Sequence, residues 1–224
     1  MTREIVLDTE TTGLDPVQGH RVVEIGCLEL VNHVPTGNTF HVYLNPDRDM
    51  PTAAFQVHGL SEEFLSDKPR FAEVADDFLA FIDGASLIAH NASFDVAFLN
   101  AELTRLRRPT IAGDRVIDSL ALARRKFPGA NNSLDALCRR FQIDNSSRTL
   151  HGALLDSELL AEVYLELIGG RQPGLVLSVQ HVQTTVIAQR VQRPARPHAP
   201  TPDELAAHEA FVRAEVVEAL WIQE

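Results

Sequence analysis

The chain has 224 residues, 45% of them hydrophobic, and 31 acidic against 20 basic side chains give it a formal net charge of −11. That is enough apolar chain for one α/β domain with a core plus an appendage, which excludes wholesale disorder, and no apolar run is long enough to cross a bilayer. The acidic excess argues against tight, unaided binding to nucleic acid, which needs clustered Lys and Arg to neutralise phosphates. It leaves room for an enzyme that handles nucleic acid briefly, because carboxylates gathered around divalent cations add negative charge of their own.

Thr2-Arg3-Glu4 runs straight into Ile5-Val6-Leu7, which is not a signal-peptide layout, so a cytoplasmic location is expected. The two cysteines, Cys27 and Cys138, lie far apart inside apolar patterns and lack the paired spacing of a zinc site. Buried free thiols are the expectation, ahead of a bridge between them.

In chain order, Glu4 to Asp8 is a short β-branched run, Val22 to Val31 alternates imperfectly, and Thr39 to Leu44 is a third strand candidate. Val34-Pro35-Thr36-Gly37-Asn38 supplies turn residues between the last two, which predicts an antiparallel meander. Helical patterns follow. Ser61 precedes Glu62 and Glu63, acids favoured in a first turn, and Phe71, Val74, Phe78, Leu79 and Ile82 recur at helical spacing before Gly84. Ser86 to Ala89 reads as a strand, Phe94 to Leu106 as a helix, and Val116 to Asp118 as a last short strand. Ser133 is placed to cap a helix carrying Leu134, Leu137, Cys138 and Phe141. Leu154 to Ile168 is the clearest helix, stopped by Gly169-Gly170. Strands first and alternating strand and helix later predict an α/β mixed sheet covered by helices.

After Gly170 the composition changes. From Arg171 to Pro202 there is neither Asp nor Glu, and Pro194, Pro197, Pro200 and Pro202 punctuate the latter half. This stretch reads as a flexible linker, and helical periodicity resumes from Asp203 to Trp221. The organisation is therefore a domain over 1–170, a linker over 171–202 and a terminal segment over 203–224.

Chemistry concentrates at four acids. In Leu7-Asp8-Thr9-Glu10-Thr11-Thr12-Gly13, two carboxylates two apart at a strand end share a face. Left alone they repel, and a divalent cation between them removes that cost. Asp95, after His90-Asn91-Ala92-Ser93-Phe94, opens a helix, where an acid is favoured by the helix N-terminus alone. In Leu150-His151-Gly152-Ala153-Leu154-Leu155-Asp156 the acid lies on an otherwise apolar helix, which metal coordination or a buried pair with an arginine would explain.

Asp8, Glu10, Asp95 and Asp156, with His151 five before the last acid, resemble the DEDDh pattern of DnaQ-like exonucleases, most closely the epsilon proofreading branch found with bacterial DNA polymerase III. The similarity extends to Val57-His58-Gly59-Leu60, Phe71-Ala72-Glu73-Val74-Ala75-Asp76 and Asn132-Ser133-Leu134-Asp135-Ala136-Leu137-Cys138. It implies an RNase H-like fold with a mixed five-stranded sheet, and 3′→5′ phosphodiester hydrolysis at the 3′ end of single-stranded DNA. It implies two divalent cations, Mg²⁺ or Mn²⁺, held by Asp8, Glu10, Asp95 and Asp156, an all-oxygen set suited to hard cations. His151 would deprotonate the attacking water, a task suited to an imidazole. Asp8, Glu10, Asp156 and His58 would contact the substrate. The alternative for His58 is a helix-end histidine bonding backbone; Phe94 is expected in the core, Asp118 is structural by the family pattern, and His90 has no assigned role.

RNA-trimming enzymes share the same acids, so partners must separate the readings. The segment Pro202 to Phe211, continuing to Leu220-Trp221, resembles the tail by which epsilon subunits bind the polymerase catalytic (alpha) subunit. It is amphipathic, with Leu205, Phe211, Val212 and Val216. Gln172-Pro173-Gly174-Leu175-Val176-Leu177 looks like a sliding-clamp peptide, a pattern short enough to arise by chance. A catalytically silent scaffold is the remaining class, and the complete acid set argues against it.

Overall fold

In the computed structural model the described residues are 2–146, 148, 150–169 and 199–216. The expected clamp-like segment Gln172–Leu177, nearly all of the expected linker, and Trp221 lie outside them. The chain divides into two compact units, Met1–Val176 and Leu177–Glu224. Among the described residues no helix is long and apolar enough to cross a membrane.

The first unit is built on one five-stranded sheet. Strands β1 (Arg3–Thr11), β2 (Val22–Val31), β3 (Val34–Tyr43), β4 (Ser86–Ala89) and β5 (Val116–Asp118) lie in the order β3-β2-β1-β4-β5. β1 pairs antiparallel with β2 and parallel with β4; β2–β3 is antiparallel and β4–β5 parallel. The sheet is therefore mixed, as expected.

Both faces are covered. Ile5 and Leu7 point into a core shared with Phe71, Phe78 and Ile82 of α3 (Phe71–Ile82) and Phe98, Leu99 and Leu103 of α4 (Ala92–Arg105). Val6 points the other way, into a core with Leu28, Leu30 and Ile88. Against these pack α6 (Leu134–Phe141), through Leu134 and Leu137, and α7 (Ala153–Ile168), through Leu159, Leu160, Val163 and Tyr164. The two-residue period of β1 thus puts Asp8 and Glu10 on the face that α7 covers. Cys27 and Cys138 are buried free thiols in opposite cores.

The β2–β3 connection differs from expectation. The turn is Asn32-His33, both at positive φ (51° and 67°), and Val31 pairs directly with Val34. Two left-handed residues in a two-residue loop match the right-handed twist of the flanking strands. The proposed turn residues Val34 to Asn38 instead belong to β3, where Pro35 is tolerated because β3 is an edge strand and an irregularity between Leu28 and Leu30 accommodates it. Among the described residues the unit also has three short α-helices, α1 (Thr52–His58), α2 (Glu62–Leu65), capped by Ser61, and α5 (Ser119–Lys126), and two 3₁₀ turns, Pro16–Gln18 and Gly113–Arg115. Of these only α2 was signalled by its cap; α1 and α5 are too short to show a period.

In the second unit, α8 spans Pro202–Glu215. The Thr201 hydroxyl accepts the Glu204 N–H at 3.3 Å and the Glu204 carboxylate accepts the Thr201 N–H at 2.8 Å, a reciprocal cap.

Candidate active site

The four acids come from three elements that meet at the carboxyl ends of β1 and β4. Asp8 and Glu10 lie on β1, Asp95 in the first turn of α4 just after β4, and Asp156 in the first turn of α7. Asp95 is fixed from β1 itself: the Thr9 N–H and hydroxyl both donate to its Oδ1, at 3.0 and 2.7 Å. Because Thr9 faces away from Asp8 and Glu10, one strand end presents carboxylates on one face and grips a third through the other.

Asp156 reaches the cluster because α7 comes close to β2. Gly26 is the partner of Asp8 across the β1–β2 ladder. A Cβ on Gly26 would collide with the backbone of Ala153 and Leu154, and the Ser157 hydroxyl donates to the Gly26 carbonyl at 2.9 Å. Glycine in mid-strand is the signal of such an approach, and it was open to sequence reading.

Crowding of the acids shows in their proton affinity. Burial first, then Asp95, Glu10 and Asp156, push the Asp8 carboxyl well above the usual range. Burial and the charge of Asp156 raise Glu10 to about 8. Asp95 is pushed up to about 7 by burial, against the opposing bonds from Thr9. Buried carboxylates that repel one another without hydrogen-bonded cations of their own match the donor chemistry of a hard divalent ion. The Glu10, Asp156 and His151 ligand atoms lie within 4.8 Å of one another, close enough to share an ion.

Asp156 behaves differently. Burial alone would raise its pKa, but hydrogen bonds from His151 and Arg148 bring it below the usual value. The Arg148 Nε donates to Asp156 Oδ1 at 2.5 Å and Nη2 to Oδ2 at 2.6 Å, while His151 Nδ1 stands 3.2 Å from Oδ2. Of the two explanations the sequence left open for this acid, the buried pair with an arginine is present, and its oxygen also lies within 4.8 Å of ligand atoms of Glu10 and His151. Arg148 was not singled out in the sequence. Its only signal is a cation in a polar loop three residues before His151.

His58 closes α1. Its Nδ1 accepts the Leu60 N–H at 3.0 Å, and its Nε2 is buried without a partner. Burial holds its pKa below the ordinary value. His151 is tied to the same helix, its N–H donating to the Val57 carbonyl at 3.2 Å. His58, Val57, Ala54 and Pro51 face Glu10, Thr11, Thr12 and Leu14 across a cleft of about 640 Å³. Phe94 was expected in the core; it packs on Phe98 with centroids 4.9 Å apart but also lines this cleft. Asp118 is structural, as the family pattern implied: it caps α5 through the Leu120 N–H at 2.9 Å and takes the Asn91 N–H at 3.1 Å. His90 Nδ1 lies 2.9 Å from the Ser119 hydroxyl.

Glu10 lines this cleft and also belongs, with Asp156 and His151, to the set of ligand atoms within 4.8 Å of one another, while Asp8 and Asp95 are close enough to raise its proton affinity or each other's. Grouped carboxylates beside an open cleft have the makings of metal-assisted phosphodiester hydrolysis. Comparison with known proteins points the same way. A family model described as "Exonuclease" matches residues 5–164. The DNA polymerase III subunit epsilon of Rickettsia felis is 53% identical over 218 residues, covering 94% of this chain and 95% of that one. That of Escherichia coli K12 is 52% identical over 224 residues, covering 94% and 92%. Among solved structures, exonuclease X in complex with 5′-overhanging duplex DNA aligns with TM-score 0.58 and 28% identity over 75% of this chain and 91% of that one. The nuclease domain of 3′hExo, a DEDDh family member bound to rAMP, shares the RNase H-like fold at TM-score 0.64 and 18% identity, over 74% and 91%. The fold, the placement of the acids and this degree of identity along nearly the whole chain agree: the chain belongs to the exonuclease family, among the epsilon subunits of bacterial DNA polymerase III.

Proposed function

We propose that this chain is the proofreading 3′→5′ exonuclease of a bacterial replicative polymerase, removing mismatched nucleotides from the primer 3′ end. The observation that carries the reading is the electrostatic crowding of Asp8, Glu10, Asp95 and Asp156, with His151 beside Asp156 and Glu10 opening onto the cleft. Asp8, Glu10, Asp95 and Asp156 would hold two divalent cations, Mg²⁺ or Mn²⁺, with Asp8 the acid reached by the charge of the other three. When bound, such a pair stabilises the attacking and leaving oxygens of an in-line displacement.

The chain's own residues supply the rest. His151 takes the proton of the attacking water at a ring nitrogen; the new bond joins that oxygen to phosphorus, and the bond to the 3′ oxygen of the preceding nucleotide breaks. No covalent enzyme intermediate is required. His58 forms the wall beside the terminal nucleotide, and Phe55 and Val57, 42% and 46% exposed, offer apolar surface to a frayed base. Stacking of that kind contributes about 1–3 kcal/mol per base on an aromatic platform and tolerates any sequence. Asp8, Glu10 and Asp156 reach the substrate through its scissile phosphate.

Residues 1–170 act as the exonuclease domain, 171–202 as a linker and 203–224 as the segment that docks on the polymerase catalytic subunit, with Gln172–Leu177 as a sliding-clamp contact. Tethering then raises local concentration and substitutes for the weak DNA affinity expected of an acidic protein. A replisomal, cytoplasmic location follows from that role.

The test is hydrolysis of matched single-stranded DNA and RNA by the unaltered protein and by the Asp8→Ala, Glu10→Ala double variant. DNA hydrolysis from the 3′ end that vanishes in the double variant is expected. Persistence of activity in that variant would overturn the site, and a clear preference for RNA would overturn the substrate.

A further inference from the structure

Arg148 does more than neutralise one acid. Its guanidinium is nearly buried, with 8% of the side chain exposed, and all three nitrogens are engaged. Nε and Nη2 take both oxygens of Asp156, at 2.5 and 2.6 Å. Nη2 also meets His151 Nδ1 at 2.7 Å and lies 3.5 Å from Nε2. Nη1 donates to Asp135 Oδ1 at 2.7 Å, and Asp135 is itself held by Asn145 Nδ2 at 3.1 Å. So one arginine occupies the carboxylate proposed as a metal ligand, engages a ring nitrogen of the proposed base, and keeps a hold on a third residue outside that site. Beside it lies a polar cavity of about 520 Å³ lined by Asp135, Arg139, Asn145, Arg148 and His151.

We propose that Arg148 is an internal cation that competes with a divalent ion for Asp156, and that the guanidinium withdraws toward Asp135, and away from His151 Nδ1, when the ion takes Asp156. This rests on the metal-site reading of Asp8, Glu10, Asp95 and Asp156. The physical logic is competition. The guanidinium takes both oxygens of Asp156 and His151 stands 3.2 Å from one of them, so most of the carboxylate's roughly four lone-pair sites are engaged and an ion bound there competes with the guanidinium. Asp135 gives the guanidinium a place to remain paired when Asp156 is taken, and the cavity gives it room. Because Asp156 and His151 are bound by the same Nη2, they are released together. Release of Asp156 therefore also changes the contact at His151 Nδ1, which couples the carboxylate and the imidazole through one side chain. Any such lock lowers apparent metal affinity by the fraction of molecules in which Asp156 is free.

Two variants and one spectroscopic signal test this in the full chain. Arg148→Lys keeps the charge and most of the stem but loses the fork, and Arg148→Met loses both. Each is expected to bind Mn²⁺, followed by calorimetry or electron paramagnetic resonance, at least about fivefold more tightly than the unaltered protein. A rise in the lysine variant separates release of the lock from simple loss of a positive charge. In the unaltered protein the Arg148 Nε–H resonance is expected to be hydrogen-bonded without metal and to shift as Mg²⁺ is titrated. An Nε–H signal unmoved by saturating Mg²⁺, or an Arg148→Lys protein that binds Mn²⁺ no more tightly, overturns the lock and leaves the metal site standing. Asp8→Asn is the separate control: undiminished Mn²⁺ binding there overturns the metal-site reading, and the lock with it.

Discussion

Gly26 and Ala153 approach so closely that a Cβ on Gly26 would stand 2.2 Å from the Ala153 carbonyl carbon. That contact sets how near the first turn of α7 comes to β1, and so where Asp156 stands relative to Asp8. Gly26→Ala should therefore push α7 outward. Overpacking of this kind costs about 1–3 kcal/mol, and hydrolysis should fall by more than the loss of folded protein explains, because a proposed ligand moves with the helix. Gly113→Ala, which meets nothing within 4 Å, should stay within about 0.5 kcal/mol of the unaltered protein. Denaturant unfolding and 3′-end hydrolysis measured on both variants check this; full activity in Gly26→Ala would mean the helix position is not set here.

The metal-free protein should lose stability as the solution becomes more alkaline. Glu10 and Asp95, raised to about 8 and about 7, hold their protons more tightly folded than unfolded, where carboxyls titrate near about 4. Between those limits the folded state binds more protons, so stability is greatest at the acidic end of the window and falls as pH climbs through the folded values. A divalent ion stabilises the ionised carboxylates and reverses the trend. Melting temperatures from pH 5 to 8.5, in chelator and in Mg²⁺, are the measurement. A metal-free melting temperature that rises across this range would contradict the crowding of these acids.

His151→Gln should separate binding from chemistry. Loss of a positioned base lowers turnover by about 10²–10⁴-fold. The four carboxylates remain in place, so Mn²⁺ affinity should change little by comparison. Single-turnover hydrolysis with saturating metal, set beside a binding titration, reads the two effects. A loss of activity that tracks loss of metal would make His151 a ligand and not a base.

What could be read from the sequence divides along physical lines. Asp8 and Glu10, two apart in a strand, and Asp156 on an apolar helix stand out because an acid there is costly unless something compensates it, and that contradiction is visible without a structure. The sheet and its covering helices were legible from period and caps, as at Ser133 and the run to Ile168. The β2–β3 turn was misplaced because Pro35, Gly37 and Asn38 carry the usual turn chemistry, while His33 at positive φ carries almost none. Arg148 was missed for a different reason: its importance lies in joining Asp135, His151 and Asp156, residues from a loop and two helices whose meeting is tertiary. Gly26 could have been read as a close approach, but nothing local says that α7 is what approaches.

The terminal segment should be separable from the chemistry. All the residues proposed for the site lie between Asp8 and Asp156, so deleting 203–224 should leave hydrolysis of free single-stranded DNA unchanged and abolish copurification with the polymerase catalytic subunit. Leu205 and Phe211 on α8 are 53% and 60% exposed, an arrangement suited to burial in a partner. Phe211→Glu should thus weaken docking much as deletion does, while Thr201→Ala, which removes the cap, costs about 1 kcal/mol of helix stability and weakens docking modestly. On a mismatched primer held by the polymerase, loss of the tether should slow excision by about 10²-fold or more at limiting protein concentration, and the defect should fade as that concentration is raised. Persistence of the defect at high concentration would show that the segment contributes more than proximity; unchanged copurification after deletion would remove it from the interface.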